Sequence, residues 1–209
     1  MNRSDFKLYA ITDRTHLCGQ TLAEAVAQAI EGGATMVQVR EKGLSAADYE
    51  ALATEIQTVC SSYGVPLVVN DSLAVARAIG AGVHLGASDG DIAEARQVLG
   101  PDAIIGATAK TVAQAQAAER AGASYLGSGA VFGSATKADA TPMPLSRFAE
   151  ICRAVSIPVV AIGGITADNA RQLAGTGLAG LCAVSAIFAQ ADIKQAAMRL
   201  RALADEVVQ

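Results

Sequence analysis

Short apolar runs alternate with longer amphipathic stretches from one end of the chain to the other. The short runs are dense in Val, Ile, Leu and Ala and are mostly flanked by Gly or Pro, which is typical of strands buried on both faces. The predicted strands are Lys7–Thr12, Met36–Arg40, Pro66–Asn70, Gly82–Gly86, Ile104–Ala109, Tyr125–Phe132, Val159–Gly163 and Leu181–Ser185. The Ala-rich stretches repeat with helical period, and the predicted helices are Thr21–Glu31, Ala46–Ser62, Ser72–Ile79, Ile92–Leu99, Val112–Ala121, Leu145–Ala154, Ala167–Ala174 and Ala191–Val207.

Eight strands that alternate with eight helices predict a closed parallel sheet, a (β/α)8 TIM barrel of the α/β class. An open doubly wound sheet is the alternative, but it would carry a G-x-G-x-x-G motif in its first turn, which this chain lacks. Ser45 and Asp91 are predicted N-caps, and a glycine follows most helices as a stop. No linker or low-complexity tract interrupts the pattern, so residues 1–209 are expected to form a single domain.

Composition narrows the classes of partner. The chain is 52% hydrophobic and 17% charged, carries a net charge of −4, and contains no tryptophan. Nucleic-acid binding is disfavoured because it needs a basic face and stacking aromatics. No segment has the ~18 consecutive apolar residues of a membrane span, and the amino terminus lacks the apolar centre of a signal peptide. The widely separated Cys18, Cys60, Cys152 and Cys182 indicate a reducing cytoplasm. Small-molecule partners are therefore expected, and a homo-oligomer stays open.

Two turns near the carboxyl terminus predict a grip for a phosphate group. Gly163-Gly164 ends one apolar run, and Val184-Ser185 ends the next. Small residues let a phosphate approach the backbone, whose N–H groups at the start of a helix attract anions. Such a pair is expected after the seventh and eighth strands of a TIM barrel. The alternative for Gly163-Gly164 is a tight turn with no ligand.

The second predicted strand carries polar residues on one face. Because side chains alternate along a strand, Gln38 and Arg40 share one face while Val37 and Val39 share the other. With the valines against the helices, Gln38 and Arg40 point into the barrel. An arginine there needs an anionic partner, since a buried charge is costly alone. That partner is either an anionic ligand or an internal acid such as Asp71 or Glu41.

Two carboxylates follow neighbouring strands and form a candidate metal site. Asp71 comes directly after the third strand and Asp89 shortly after the fourth. Magnesium often takes one or two carboxylates together with phosphate oxygens and water. The alternative is that each aspartate caps the helix that follows it. No set of His and Cys accompanies them, so zinc is not expected.

The remaining candidate chemistry lies in a long loop and in one histidine. The stretch from Gly133 to Pro144 carries Ser134, Thr136 and Lys137, a composition suited to an oxyanion, and the alternative is a solvated loop without a ligand. His84, in the middle of a predicted strand, is interpreted as a hydrogen-bonded interior residue rather than a general base. No nucleophile and base can be paired, so the sequence predicts a reaction driven by positioning and by neutralisation of a leaving group.

Several strings spread over essentially the whole chain carry a family resemblance. They are Leu8-Tyr-Ala-Ile-Thr-Asp13, Val37-Gln-Val-Arg-Glu-Lys42, Val69-Asn-Asp71, Gly82-Val-His-Leu-Gly86 with Asp89, Thr136-Lys137 with Asp139, Ala161-Ile-Gly-Gly-Ile165 and Val184-Ser185. Together they resemble the thiamine-phosphate synthase family, and the Q-x-R-E-K and T-K-x-D patterns are specific to that family in combination. The resemblance implies a single catalytic domain that joins a hydroxymethylpyrimidine diphosphate to a thiazole phosphate and releases pyrophosphate.

The resemblance also implies a role for each matching position. Asp71 and Asp89 become Mg²⁺ ligands, while Arg40, Lys137 and Thr108 become catalytic residues. The residues implied around the pyrimidine diphosphate are Gln38, Val39, Arg40, Glu41, Lys42, Asn70, Thr108 and Lys137. Those implied around the thiazole phosphate are Ser134, Ala135, Thr136, Gly164, Val184 and Ser185.

Three departures from the family pattern accompany this resemblance. Gly133-Ser134 replaces the usual Pro-Thr, Thr108 stands where Ser is common, and Lys110 occupies a position that is often His. Two other functions remain as alternatives. One is a thiazole tautomerase-like paralogue, which relies on a histidine near the fifth strand that this chain lacks. The other is a non-catalytic barrel that binds a phosphate ligand. Whether the chain accepts a carboxylated thiazole as substrate stays open.

Overall fold

The computed structural model describes residues 3–17, 19–86, 89–133 and 142–208. Within these ranges the chain forms a closed barrel of eight parallel strands in the order β1 to β8, so the TIM-barrel prediction is confirmed. The strands are β1 Leu8–Ile11, β2 Met36–Val39, β3 Leu67–Asn70, β4 Gly82–Leu85, β5 Ile105–Thr108, β6 Tyr125–Gly129, β7 Val159–Ile162 and β8 Gly180–Ala183. Each strand pairs with the next along the chain, and β8 closes the barrel against β1.

Helices cover the outside of the barrel. They are α1 Leu22–Glu31, α2 Ala46–Ser62, α3 Leu73–Ile79, α4 Ile92–Leu99, α5 Val112–Arg120, α6 Leu145–Ala154, α7 Ser185–Phe188 and α8 Ile193–Val207. Both predicted N-caps are confirmed, because the Ser45 side chain accepts from the N–H of Asp48 and the Asp91 side chain accepts from that of Ala93. Across the described ranges, no helix is both long enough and apolar enough to cross a membrane.

One predicted helix differs from the observed structure, and one observed helix was not predicted. The segment predicted as Ala167–Ala174 is a single short 3-10 turn, Ala170–Leu173. The side chain of Asn169 stabilises the turn that precedes this 3-10 helix. It accepts a hydrogen bond from the N–H of Thr166 and donates one to the carbonyl of Gly164. A four-residue helix, α7, also precedes α8 and was not predicted. Such short pieces rest on local turn bonds and on the burial of Ile187 and Phe188, which periodicity cannot detect.

Alternation along the strands separates two layers of apolar side chains. Val37 and Val39 belong to the large cluster between the barrel and its helices, as predicted. Met36 belongs instead to a smaller cluster inside the barrel, together with the aromatic rings of Phe6, Tyr9 and Tyr125. This inner cluster closes the barrel below the carboxyl ends of the strands, and the polar residues lie at those ends.

Candidate active site at the carboxyl ends of the strands

Gln38 points into the barrel, as its face of β2 predicted. Its side-chain nitrogen donates to the hydroxyl of Tyr9 over 2.5 Å, and the residue is almost wholly buried. Arg40 follows just beyond the end of β2, where its backbone N–H donates to the Thr12 hydroxyl over 3.0 Å. That bond ties the end of β2 to the loop after β1. It fixes the backbone from which the Arg40 guanidinium extends.

Arg40 does not form the internal ion pair considered from the sequence. Among the ion pairs of the described residues, none includes Arg40, and Glu41 pairs instead with Arg14 over 2.8 Å. Burial raises the pKa of the Glu41 carboxyl, while the hydrogen bond and charge of Arg14 act in the opposite direction. The charge of Arg40 acts to lower the pKa of Asp13 and of Asp71 without a direct ion pair among the described residues, so the guanidinium can also bind an anionic ligand.

The two candidate metal ligands are not helix caps. Ser72 caps α3 by accepting from the N–H of Val75, and Asp91 caps α4. Asp71 adopts a left-handed backbone conformation with φ of 62°, and its N–H donates to the carbonyl of His84 over 2.9 Å. The capping alternative is thereby excluded for Asp71 and Asp89, and the turn after β3 is bonded to β4.

Asp71 and Asp89 bring their carboxyl groups together. The pKa of Asp71 is raised, first by burial and then by the charge of Asp89 and a hydrogen bond with it. A Cβ atom at Gly86 would collide with the carboxylate of Asp89, so the missing side chain there makes room for this acid. The amide of Asn70 donates to Asp71 over 2.6 Å and partly offsets the repulsion. Two carboxyl groups held this close favour a bound cation.

The donor set fits Mg²⁺. It consists of carboxylate oxygens, with the amide of Asn70 beside them, and oxygen is the ligand atom that Mg²⁺ prefers. Within the described ranges, no group of three or more His, Cys, Asp or Glu residues could hold a metal ion. A site with only two carboxylates suits a metal that keeps waters and binds phosphate oxygens, and it does not suit structural zinc.

The Gly163-Gly164 turn has a structural requirement that the sequence did not reveal. Both glycines have positive φ, 99° and 66°. A Cβ atom at Gly164 would lie 2.5 Å from the carbonyl oxygen of Phe132. The loop after β6 therefore packs directly on this turn, and the N–H of Phe132 donates to the carbonyl of Gly163. Gly164 is exposed, so its backbone stays accessible to a ligand.

Val184 and Ser185 lie at the junction between β8 and α7. Val184 precedes the helix without a side-chain cap, and Ser185 is its first residue. The first N–H groups of a helix lack intrahelical partners, so those of α7 are suited to a phosphate oxygen. This junction and the Gly163-Gly164 turn follow adjacent strands, β8 and β7, as the phosphate prediction requires.

Thr108 ends β5 and is joined to the barrel interior by His84. The Thr108 hydroxyl oxygen lies 3.1 Å from Nε2 of His84, and Nδ1 of the same ring lies 2.9 Å from the Tyr125 hydroxyl oxygen. The interpretation of His84 as a hydrogen-bonded interior residue is confirmed. Tyr9 and Tyr125, whose hydroxyl oxygens are 2.7 Å apart, were missed from the sequence. The sequence around each tyrosine is that of a buried strand, and it does not indicate that the hydroxyl forms part of a hydrogen-bonded network.

Several other predicted site residues remain to be placed. The side chain of Lys42 is exposed just after β2, and Val39 is buried with its carbonyl accepting from the hydroxyl of Tyr49 over 2.8 Å. Lys110 is exposed near the start of α5. Ser134, Ala135, Thr136 and Lys137 lie outside the described residues, as does Asp139.

Known proteins resemble this chain in sequence and in fold. A family model described as thiamine monophosphate synthase matches residues 8–187. The chain belongs to the thiamine-phosphate synthase family. It is 46% identical over 200 residues to a thiamine-phosphate synthase of Ruminiclostridium cellulolyticum, covering 95% of both chains. It is 48% identical over 198 residues to one of Clostridium novyi, covering 94% of this chain and 97% of the relative.

A solved structure supports the same assignment. The thiamine phosphate pyrophosphorylase of Pyrococcus furiosus superposes with a TM-score of 0.90 at 38% identity, covering 99% of both chains. Membership of the thiamine-phosphate synthase family makes this chain a transferase of thiamine biosynthesis. The expected fold and reaction class are confirmed by these comparisons. The roles of individual residues still rest on the geometry.

Proposed function

We propose that this chain joins hydroxymethylpyrimidine diphosphate to a thiazole phosphate, forming thiamine monophosphate and pyrophosphate. The observation that carries the proposal is the contact between Asp71 and Asp89 at the ends of β3 and β4. Neither acid caps a helix, and Asp71 is held with a raised pKa. An arrangement that is unfavourable in the absence of a cation is well explained by binding Mg²⁺ and a diphosphate together.

In this proposal the pyrimidine diphosphate lies over the ends of β2 to β5. Arg40 has no ion-pair partner among the described residues and binds diphosphate oxygens, joined by Lys42 and, from the sequence, Lys137. Gln38, Asn70 and Thr108 lie around the pyrimidine, with the backbone of Val39 and the Glu41–Arg14 pair forming the wall beside them. Mg²⁺ held by Asp71 and Asp89 would supply positive charge that neutralises the diphosphate.

This arrangement explains why no general base was found. Departure of pyrophosphate leaves a resonance-stabilised pyrimidinylmethyl cation, and the thiazole nitrogen supplies the electron pair that forms the new C–N bond. A neutral aromatic nitrogen carries no proton to remove. Arg40 and Lys137 therefore act on the charge of the leaving group, as the sequence predicted for a site without a nucleophile.

The thiazole phosphate is assigned to the ends of β7 and β8. Gly164 presents an exposed backbone at a positive φ, and the start of α7 at Val184 and Ser185 adds N–H groups. The neighbouring loop contributes Ser134, Ala135 and Thr136 on sequence grounds. The contact between Gly164 and the carbonyl oxygens of Phe132 and Gly133 supports this assignment, because it packs the turn against the residues that directly precede Ser134 in the sequence.

The wider setting of the enzyme is proposed as follows. Mg²⁺ is the cofactor, the two phosphorylated substrates are its partners, and residues 1–209 act as one catalytic domain. Among the described residues, Cys60, Cys152 and Cys182 form no disulfide bond, which supports a reducing compartment, the cytoplasm. The negative net charge supports the exclusion of nucleic acids.

A coupled assay tests this proposal. The purified chain is incubated with both substrates and Mg²⁺, and pyrophosphate and thiamine monophosphate are measured together. The expected result is equimolar formation of the two products, with none when either substrate is omitted. Binding of both substrates without pyrophosphate release would contradict the proposal and favour a phosphate-ligand-binding barrel. Isomerisation of a carboxylated thiazole without product formation would favour the tautomerase-like alternative.

A further inference from the structure

A continuous chain of hydrogen bonds crosses the interior of the barrel. It runs from Gln38 to the Tyr9 hydroxyl over 2.5 Å, on to the Tyr125 hydroxyl over 2.7 Å, and then to Nδ1 of His84 over 2.9 Å. Nε2 of His84 completes it with the Thr108 hydroxyl at 3.1 Å. The five residues come from five different strands, and the two ends, Gln38 and Thr108, are both residues of the proposed pyrimidine site.

A glycine on β5, Gly106, makes this series of hydrogen bonds possible because it has no side chain. In the strand register His84 on β4 is the partner of Gly106, and Gly106 is the partner of Tyr125 on β6. Strands two apart in a sheet are separated by about 9.5 Å, so their side chains ordinarily meet the residue between them. A Cβ atom at Gly106 would collide with the Tyr125 hydroxyl and with Nδ1 of His84. The glycine opens the space in which the imidazole and the phenol meet.

The hydrogen bonds in this series all run in one direction, because each tyrosine has a single hydroxyl hydrogen to donate. Burial raises the pKa of both Tyr9 and Tyr125, so both stay protonated. With the nitrogen of Gln38 donating to Tyr9, the hydrogen of Tyr9 is left for Tyr125, which is its other hydrogen-bond partner among the described residues. Tyr125 then donates to Nδ1 of His84. The imidazole must be the neutral form with hydrogen on Nε2, and it donates to Thr108.

We infer that His84 and Tyr125 are positioning residues that hold the Thr108 hydroxyl as a hydrogen-bond donor to the pyrimidine substrate. This inference rests on the proposed function. An oxygen that accepts from Nε2 of His84 keeps its own hydrogen for the open side of the site, where Thr108 is partly exposed. Ring nitrogens and phosphate oxygens of a pyrimidine diphosphate are acceptors, so a donor here is the complementary group. Turning the Gln38 amide over would reverse every bond and commit the Thr108 hydrogen to His84.

The tautomer of His84 provides the direct test, and it needs no change within the chain of hydrogen bonds. The sequence contains two histidines, so the exposed His16 can be replaced in a His16→Gln variant. Long-range proton–nitrogen correlation on protein labelled with ¹⁵N-histidine then reports His84 alone. The expected spectrum has hydrogen on Nε2 and an unprotonated Nδ1. Hydrogen on Nδ1, in the neutral or the doubly protonated form, would overturn the inference.

Kinetics test whether Tyr125 acts through Thr108. Tyr125→Phe should lower kcat/KM for the pyrimidine diphosphate about tenfold, the loss expected for one hydrogen bond, and leave KM for the thiazole phosphate unchanged. In a Thr108→Val background the same change should cost less than about twofold, because the oxygen that it positions is already gone. Thr108→Ser should retain most activity. Independent, multiplicative losses in the double variant would overturn the inference.

A control and a folding check accompany these variants. Tyr63→Phe removes an exposed hydroxyl bonded to Glu31, outside the barrel interior, and should leave both kinetic parameters unchanged. Thermal unfolding is measured for every variant, and the spectrum of the His16→Gln protein decides the matter if Tyr125→Phe fails to fold. Because that spectrum does not depend on turnover, an inactive protein with the expected tautomer would contradict the proposed function and leave the hydrogen-bond assignment standing.

Discussion

The backbone of Gly164 lies so close to Phe132 that a Cβ atom would come within 2.5 Å of the Phe132 carbonyl oxygen and 3.0 Å of that of Gly133. The turn after β7 and the loop after β6 are therefore packed backbone to backbone. From the sequence, a side chain at Gly164 was expected to crowd the phosphate. The structure adds a clash within the protein itself, between a side chain at this position and the backbone of Phe132 and Gly133.

Gly164→Ala should lower stability and activity more than the same change at a matched glycine. Gly175 also has a positive φ, of 74°, but a Cβ atom there would meet nothing within 4 Å. Gly175→Ala thus introduces only the backbone strain, about 1 kcal/mol, while Gly164→Ala adds the clash. Thermal unfolding and kcat/KM for the thiazole phosphate check this. Equal losses of stability in the two variants would show that the contact with Phe132 relaxes without cost.

Arg96 stabilises the opposite end of the barrel. Its guanidinium donates to the carbonyl oxygens of Gly100, Pro101, Ala103 and Gly122, at distances between 2.7 and 3.2 Å. Arg96→Gln leaves several of these acceptors without a donor, so we expect a loss of about 3 kcal/mol and a fall in Tm of about 8 °C. Because this end is remote from the carboxyl ends of the strands, kcat should not change. The exposed Arg147, in an Arg147→Gln variant, is the control, and an equal effect on Tm would contradict the prediction.

Glu119 gives a prediction for the pH dependence of stability. Hydrogen bonds from the hydroxyl and the N–H of Ser156 lower the pKa of this carboxyl. A lowered pKa in the folded state contributes stability that is present above the pKa of the unfolded chain and is lost as the pH falls through the folded value. Glu119→Gln should therefore lower Tm at pH 7, by about 2 °C, and the difference from wild type should shrink as the pH falls below the usual pKa of a glutamate. The exposed Glu55, in a Glu55→Gln variant, is the control for the substitution itself.

Substitutions of Arg40 and of Lys137 should affect different kinetic quantities. Arg40 extends from the end of β2, where its backbone is bonded to Thr12, so Arg40→Ala should damage affinity for the diphosphate at least as much as the rate. Lys137 belongs to the loop after β6, and we expect Lys137→Ala to slow the chemical step more than it weakens binding, because its charge is needed as pyrophosphate departs. Single-turnover rates and equilibrium binding of the diphosphate distinguish the two. If the chemical step in substrate-bound Lys137→Ala proceeds at the wild-type rate, Lys137 only binds the diphosphate and the prediction is wrong.

Strands and long helices could be predicted because burial on one or two faces leaves a pattern in the sequence. An example is the alternation of Val37, Gln38 and Val39 along β2. It correctly predicted that the Gln38 side chain points into the barrel. The partner of an ionisable group leaves no such pattern. Glu41 was considered for Arg40 and pairs instead with Arg14, which comes from the loop after β1.

The interior hydrogen bonds show the same limit. Tyr9 and Tyr125 are separated by more than a hundred positions in the sequence. Their hydroxyl groups form a hydrogen bond only because the barrel closes between β8 and β1. Gly106 lies within the predicted strand Ile104–Ala109, and nothing in the sequence indicates why a glycine is needed there, because the need comes from side chains on the two neighbouring strands. Contacts of this kind follow from register and closure, which a single sequence does not specify locally.

The central claim is that Asp71 and Asp89 hold the cation that lets pyrophosphate leave. Asp89→Asn removes half of a like-charge pair, so the metal-free variant should unfold at the same temperature as wild type or a higher one. Asp48→Asn, on an exposed helical turn, serves as the control for the substitution itself.

The most direct measurement is the rate of pyrophosphate release, with both substrates saturating, as Mg²⁺ is titrated into wild type and Asp89→Asn. Wild type should be inactive without Mg²⁺ and rise to a plateau. Asp89→Asn should stay at least a hundredfold lower, about 3 kcal/mol in the barrier, while remaining folded. Release from wild type that is independent of Mg²⁺, or a folded Asp89→Asn protein that reaches the wild-type plateau at the same Mg²⁺ concentration, would contradict the account.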